Sequence, residues 1–125
     1  MKQLVSGNEA IFQGAIRAGA TYFAGYPITP ASEILQQAAA RAEEDPGFRF
    51  LQAEDEIAAA IATISASLAG AKSFTATSGP GFSLMQEALG WGHAVEAPCI
   101  FVNSMRVGPS TGMPTQPAQS DLLQI

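Results

Sequence analysis

The sequence predicts an α/β domain with a mainly parallel sheet and helices on both faces. Two observations carry that expectation. Short β-prone runs alternate with helically spaced runs along the chain. Each strand is separated from the next by a helix-length segment, as parallel neighbours require and hairpins do not. The 125 residues are 47% hydrophobic and 14% charged, the composition of one globular domain able to bury a core without staples.

The elements follow in order. Residues 8–18 have helical spacing, with Ile11, Ala15 and Ile16 on one side and Gly19 placed to end the helix in the left-handed conformation. Residues 21–24 form a short strand. Thr29 is then expected to cap a helix opening at Pro30 and running to about Arg41. Asp45-Pro46-Gly47 turns the chain into a second strand, residues 48–51. Residues 54–69 form the clearest helix, with Ile57, Ile61, Ile64 and Leu68 as one apolar stripe and Gly70 as its stop. A third strand covers 73–77, a further helix 82–91 and a fourth strand 99–103, and a last helix is expected to begin within 121–125.

The composition narrows the function classes. Eleven acids against six bases give a net charge of −5, which argues against nucleic-acid and anionic-membrane partners. Cys99 is the only cysteine, so an internal disulfide, a thiolate zinc site and an iron–sulfur cluster are excluded within one chain. Lys2 is followed by only a few apolar residues before Glu9, no signal-peptide core, and residues 57–71 are too short and too rich in Ala and Ser to span a bilayer. A cytoplasmic location is expected.

The unusual residues gather in the loops that leave strands. These read Gly25-Tyr26-Pro27-Ile28-Thr29-Pro30, then Gln52-Ala53-Glu54-Asp55-Glu56, then Thr77-Ser78-Gly79-Pro80-Gly81, and a fourth running from Met105 to about Gln119. The loops entering strands are plain. In a parallel sheet all four exits lie on the carboxyl edge, where open α/β folds bind ligands. Four distinctive loops are therefore expected to meet at one site.

Each candidate residue has a structural alternative. Ser78 to Gly81 leads into a helix start that suits an anion or a close-packed polar group, and serves equally as a cap with a tight turn. No Lys follows the last glycine, so it is no Walker motif. Glu54, Asp55 and Glu56 are ordinary first-turn acids by composition. At about 100° per residue they cannot share a direction, however, and Glu56 lies in line with Ala60, Thr63 and Ser67. Facing such small residues, it points into a crowded, poorly solvated space, where a carboxyl can act as a proton donor or hydrogen-bond switch. Arg106 is the only cation in the four exit loops, suited either to a substrate carboxylate or to a surface ion pair. Trp91, His93 and Cys99 read as packing or capping residues.

Together these loops resemble domain I of the α subunit of 2-oxoacid:ferredoxin oxidoreductases, enzymes that use thiamine diphosphate. The matching stretches are Gly7-Asn8-Glu9-Ala10, Gly25 to Pro30, Glu54 to Ala59, Thr75 to Met85 and Gly108 to Thr115, in the family's order and over nearly the whole chain. The resemblance implies the pyrimidine-binding half of a thiamine-diphosphate site. It assigns to Glu56 the role of the glutamate that hydrogen-bonds the aminopyrimidine and favours its imino form, with Glu54 as runner-up. It makes Tyr26, Pro27, Ile28, Ser78 and Gly79 cofactor contacts, and Thr29, Arg106 and Thr115 contacts of the substrate. The 2-oxoglutarate branch looks closest, followed by the branched-chain and pyruvate-specific members.

The chain lacks the Gly-Asp-Gly and Asn signature for magnesium and diphosphate, and a cysteine cluster. The resemblance therefore implies a β subunit carrying the diphosphate and Mg2+ site, an iron–sulfur cluster on partner chains, ferredoxin as electron acceptor, and coenzyme A as co-substrate. Residues 1–125 are then expected to be one incomplete domain, inactive alone. From another class, a non-catalytic module binding phosphate or nucleotide at Ser78 to Gly81 is the alternative.

Overall fold

A computed structural model describes residues 4–118. The helix expected to begin within 121–125 lies outside the described residues. Helix α1 (Gly7–Arg17) leads to strand β1 (Tyr22–Gly25), then α2 (Ser32–Glu44), β2 (Arg49–Gln52), α3 (Glu56–Leu68) and β3 (Ser73–Thr77). Two short helices follow, α4 (Gly79–Leu84) and α5 (Gln86–Ala94), before β4 (Ile100–Asn103). The four strands form one sheet in the order β2-β1-β3-β4, and every pairing is parallel.

Two apolar clusters cover the two faces. Phe12 of α1 and Ile34, Leu35 and Ala38 of α2 bury Phe23, Phe74 and Ala76 of the sheet. The rings of Phe23 and Phe74 meet edge to face with centroids 5.0 Å apart. On the opposite face Ala59, Ala60 and Ile64 of α3 pack with Met85 and with Ala88 of α5, and Phe101 closes against them. Helices on both faces of a parallel sheet are the architecture expected.

The α3 helix departs from its expected orientation. Ile64 is fully buried, but Ile57, Ile61 and Leu68 are 48%, 41% and 52% exposed. The sheet instead receives Glu56, Ala59, Ala60, Thr63 and Ser67, because small side chains let the helix lie close on β1 and β3. Ile64 stands at the border of that face and is covered by α5, where a Cβ on Gly92 would sit 3.1 Å from its methyl group. Ser73 Oγ donates to the Thr63 carbonyl at 2.7 Å, pinning α3 along β3.

Other boundaries differ for local reasons. Thr29 does not cap α2, which begins at Ser32 without a side-chain cap. The Thr29 and Pro30 carbonyls face side chains of distant segments rather than amides of the next turn. The helix expected over 82–91 starts at Gly79, with a proline in its first turn, and breaks at the buried Met85 into α4 and α5. Gly19 does end its helix left-handed, at φ +85°. At the end of α2, Asp45 accepts hydrogen bonds from the Gly47 amide and from Arg41 Nη2, and these hold its carboxyl below the usual carboxylate range.

Candidate active site

The strand order places the site. From β1 the chain moves outward to β2, then crosses back over β1 through α3 and continues from β3 to β4. The loops after β1 and β3 consequently leave neighbouring strands for opposite faces, one toward α2 and the other toward α4. This is the topological switch point, where open parallel sheets form a ligand crevice. Gly25 pairs with Gln52 and Thr77 with Asn103 at the strand ends. All four exits therefore share one rim, roughly 15 Å across at about 4.8 Å per strand step.

The α3 side of the crevice holds the acid. Asp55 is the N-cap of α3, its carboxylate accepting from the Ala58 amide at 2.7 Å. This starts the helix so that Glu56 turns inward, 6% exposed, while Glu54 remains exposed. The Glu56 side chain lies against Gly81 at the start of α4. A Cβ at Gly81 would come within 2.6 Å of Glu56 Cγ and Oε1 and would also strike Thr77 Oγ1. Only a glycine permits so close a passage.

The α2 side holds the loop from Tyr26 to Pro30. Tyr26, Pro27 and Thr29 are exposed, and Ile28 packs against the first cluster. Arg106 comes in from the β4 exit, 5% exposed, and its Nη1 donates to the Thr29 carbonyl at 2.8 Å. The fourth loop folds back on itself, with the Val107 amide donating to the Gln116 carbonyl and the Met113 amide to the Val107 carbonyl. That fold brings Thr115 and Pro114 into one small cavity of about 120 Å3 with Pro30 and Met105. Thr29, Arg106 and Thr115 thus gather at one end of the rim.

Buried polar atoms at the rim fit a polar ligand. Ser78 is fully buried, yet its hydroxyl neither caps α4 nor finds another hydrogen-bond partner. Both amide atoms of Asn103 are likewise buried without one. Glu56 accepts no hydrogen bond among the described residues. Gly79 is buried at the first position of α4. Asn103 had no place among the sequence candidates; its signal was a polar residue closing an otherwise apolar strand at the carboxyl edge.

Some residues stand apart. His93 and Trp91 are exposed on α5, away from the rim. Cys99 packs at the edge of the second cluster, and burial pushes its thiol up, which suits an inert residue. No three His, Cys, Asp or Glu residues among those described could hold a metal ion. Nor is any described helix long and apolar enough to cross a membrane.

A parallel α/β domain with a buried acid and unpaired polar groups at its switch point is a cofactor-binding domain in its class. Residues 13–125 match the family model described as "Pyruvate flavodoxin/ferredoxin oxidoreductase, thiamine diP-bdg". The chain belongs to that family. It is 56% identical over 122 residues to the 2-oxoglutarate synthase subunit KorA of Archaeoglobus fulgidus, covering 98% of this chain and 35% of that protein. Against the 2-oxoacid:ferredoxin oxidoreductase 1 subunit alpha of Aeropyrum pernix the identity is 47%, covering 96% of this chain and 20% of the relative. Among solved structures it resembles the 2-oxoglutarate:ferredoxin oxidoreductase of Magnetococcus marinus, determined with 2-oxoglutarate, coenzyme A and succinyl-CoA bound. There the TM-score is 0.90 at 49% identity, over 95% of this chain and 21% of the other. The chain spans about a third or less of the length of these relatives.

Proposed function

We propose that this chain is the pyrimidine-side portion of the α subunit of a ferredoxin-dependent 2-oxoacid oxidoreductase. The reaction is oxidative decarboxylation of a 2-oxoacid, 2-oxoglutarate favoured, with coenzyme A to acyl-CoA and carbon dioxide. The electrons pass by an iron–sulfur cluster on a partner chain to ferredoxin. A β subunit supplies the diphosphate and Mg2+ site, and the complex works in the cytoplasm. The substrate preference is supported by the names of the KorA relatives and of the structural neighbour. The observation that carries the reading is Glu56, a buried carboxylate packed against Gly81 with no hydrogen bond from the described residues.

The residues present fit thiamine diphosphate. When bound, that cofactor supplies an acidic ring carbon that adds to the keto carbon and takes up the electrons left as carbon dioxide departs. Glu56 would hydrogen-bond a pyrimidine ring nitrogen, its buried setting keeping water from competing for that bond. Tyr26, Pro27 and Ile28 would contact the ring, and Ser78 and Gly79 would offer polar groups at the α4 start. Thr29, Arg106 and Thr115 grip the substrate carboxylate, the guanidinium supplying charge and orientation.

The test is C2 proton exchange of bound thiamine diphosphate in the assembled complex. Glu56→Gln keeps the shape of the side chain against Gly81 and is expected to slow exchange by about 100-fold or more, with assembly intact. Wild-type exchange in this variant would remove Glu56 from the role.

A further inference from the structure

The Gly7-Asn8-Glu9-Ala10 stretch contributes no side chain to the site itself. Asn8 lies in the first turn of α1, far in sequence from every residue assigned above. Its side chain is nevertheless bonded on both its polar atoms. Nδ2 donates to the Pro30 carbonyl at 2.8 Å and to Glu33 Oε2 at 3.1 Å. Oδ1 accepts from Ser104 Oγ at 2.9 Å. Two acceptors on one side and a hydroxyl on the other fix the orientation of the amide.

These bonds close a ring. Asn8 holds the Pro30 carbonyl, and Arg106 holds the neighbouring Thr29 carbonyl. Ser104, two residues before Arg106, returns to Asn8. Successive carbonyls of the β1 exit loop are thus gripped from two directions, one donor from α1 and one from the β4 exit. The same ring fixes the separation between those two loops. Glu33 in the first turn of α2 joins it through Asn8, and Ser6 Oγ reaches the same carboxylate oxygen at 3.4 Å. The apolar anchor of α1 is Phe12, one turn further on, so the helix has its own means of docking and Asn8 is available to set the loops.

We propose that Asn8 is a positioning residue for the 2-oxoacid. It holds Thr29 and Pro30 at a set distance from the β4 exit, so that Thr29 and Arg106 act as one grip on the substrate carboxylate. The inference rests on the proposed function and adds to it a residue that touches neither cofactor nor substrate. A small displacement of a gripping group costs binding out of proportion to the displacement. Loss of Asn8 should therefore act on substrate affinity while sparing the proton chemistry at Glu56, on the other side of the crevice.

The experiment uses the assembled complex with Asn8→Ala, Asn8→Asp and Ser104→Ala, and Glu56→Gln as reference. N-oxalylglycine, an unreactive analogue of 2-oxoglutarate, is titrated calorimetrically, and steady-state kinetics, C2 proton exchange and amide hydrogen exchange of residues 26–31 are followed beside it. Asn8→Ala is expected to weaken the analogue and raise KM by about 10-fold or more, with kcat within about threefold and C2 exchange unchanged. Asn8→Asp follows Ala, because it cannot donate to the Pro30 carbonyl and repels Glu33. Ser104→Ala, a milder change, shifts KM in the same direction. The double variant with Asn8→Ala adds little, since both act through one network. The Thr29 and Ala31 amides exchange faster in the Asn8 variants, while those of Tyr26 and Ile28 keep their wild-type rates.

Unchanged KM and analogue affinity in Asn8→Ala and Ser104→Ala overturn the proposal. So does a parallel fall of kcat, C2 exchange and melting temperature, which marks a purely structural role. If Asn8→Ala fails to assemble, Ser104→Ala decides alone, because its KM shift is required. Failure of the underlying function is told apart by the reference: Glu56→Gln would then retain C2 exchange, whatever Asn8 does.

Discussion

Glu56 was legible from angular arithmetic alone. Its placement in line with Ala60, Thr63 and Ser67 points it inward, and it is the buried acid of the three that open α3. What the sequence could not show is its neighbour: the closeness of Gly81 depends on where β3 sets α4 against α3. Gly81→Ala drives a methyl group into Glu56 and Thr77. A loss of about 1–3 kcal/mol is expected in chemical denaturation, with C2 proton exchange falling because the acid is displaced. Thr29 does not cap α2, because its carbonyl turns to Arg106, remote in sequence, and the helix begins only at Ser32. Asp45 carries the pH prediction. Its pKa is lower folded than unfolded, so its stabilisation is present above the ordinary carboxylate range and is lost as pH falls through the folded value. The melting temperature of Asp45→Asn should lie below that of wild type at pH 7, and the gap should close as the solution is acidified below about pH 4.

At the scale of elements, strand and helix existence was readable and facing was not. A stripe of large aliphatics normally marks the buried side of a helix, and α3 inverts this, giving Ala59, Ala60, Thr63 and Ser67 to the sheet. A sheet face with several neighbouring elements rewards close approach more than side-chain bulk. Ile64→Ala is expected to cost about 2–5 kcal/mol, whereas Ile61→Ala, on the exposed side, should cost well under half as much. Equal losses in urea melts would restore the stripe as the buried face. The break at Met85 was hidden for a related reason. That side chain is apolar and helix-compatible, and only its burial between α3 and α5 shows why the chain turns there.

For the molecule as a whole, the convergence of the loops was the most legible feature, because a parallel sheet sends every strand exit to one rim whatever the helix boundaries. The reversal of direction between β1 and β3 was not written in any local run, since strand order is a tertiary property. The ring through Asn8 has a consequence for biosynthesis. Its first member leaves the ribosome 96 positions ahead of its counterpart Ser104. Until that counterpart is translated, an emerging chain can stack its aromatic layer and pair three strands, yet its β1 and β4 exits stay unlatched. Shape thus precedes the latch between the two loops in this segment.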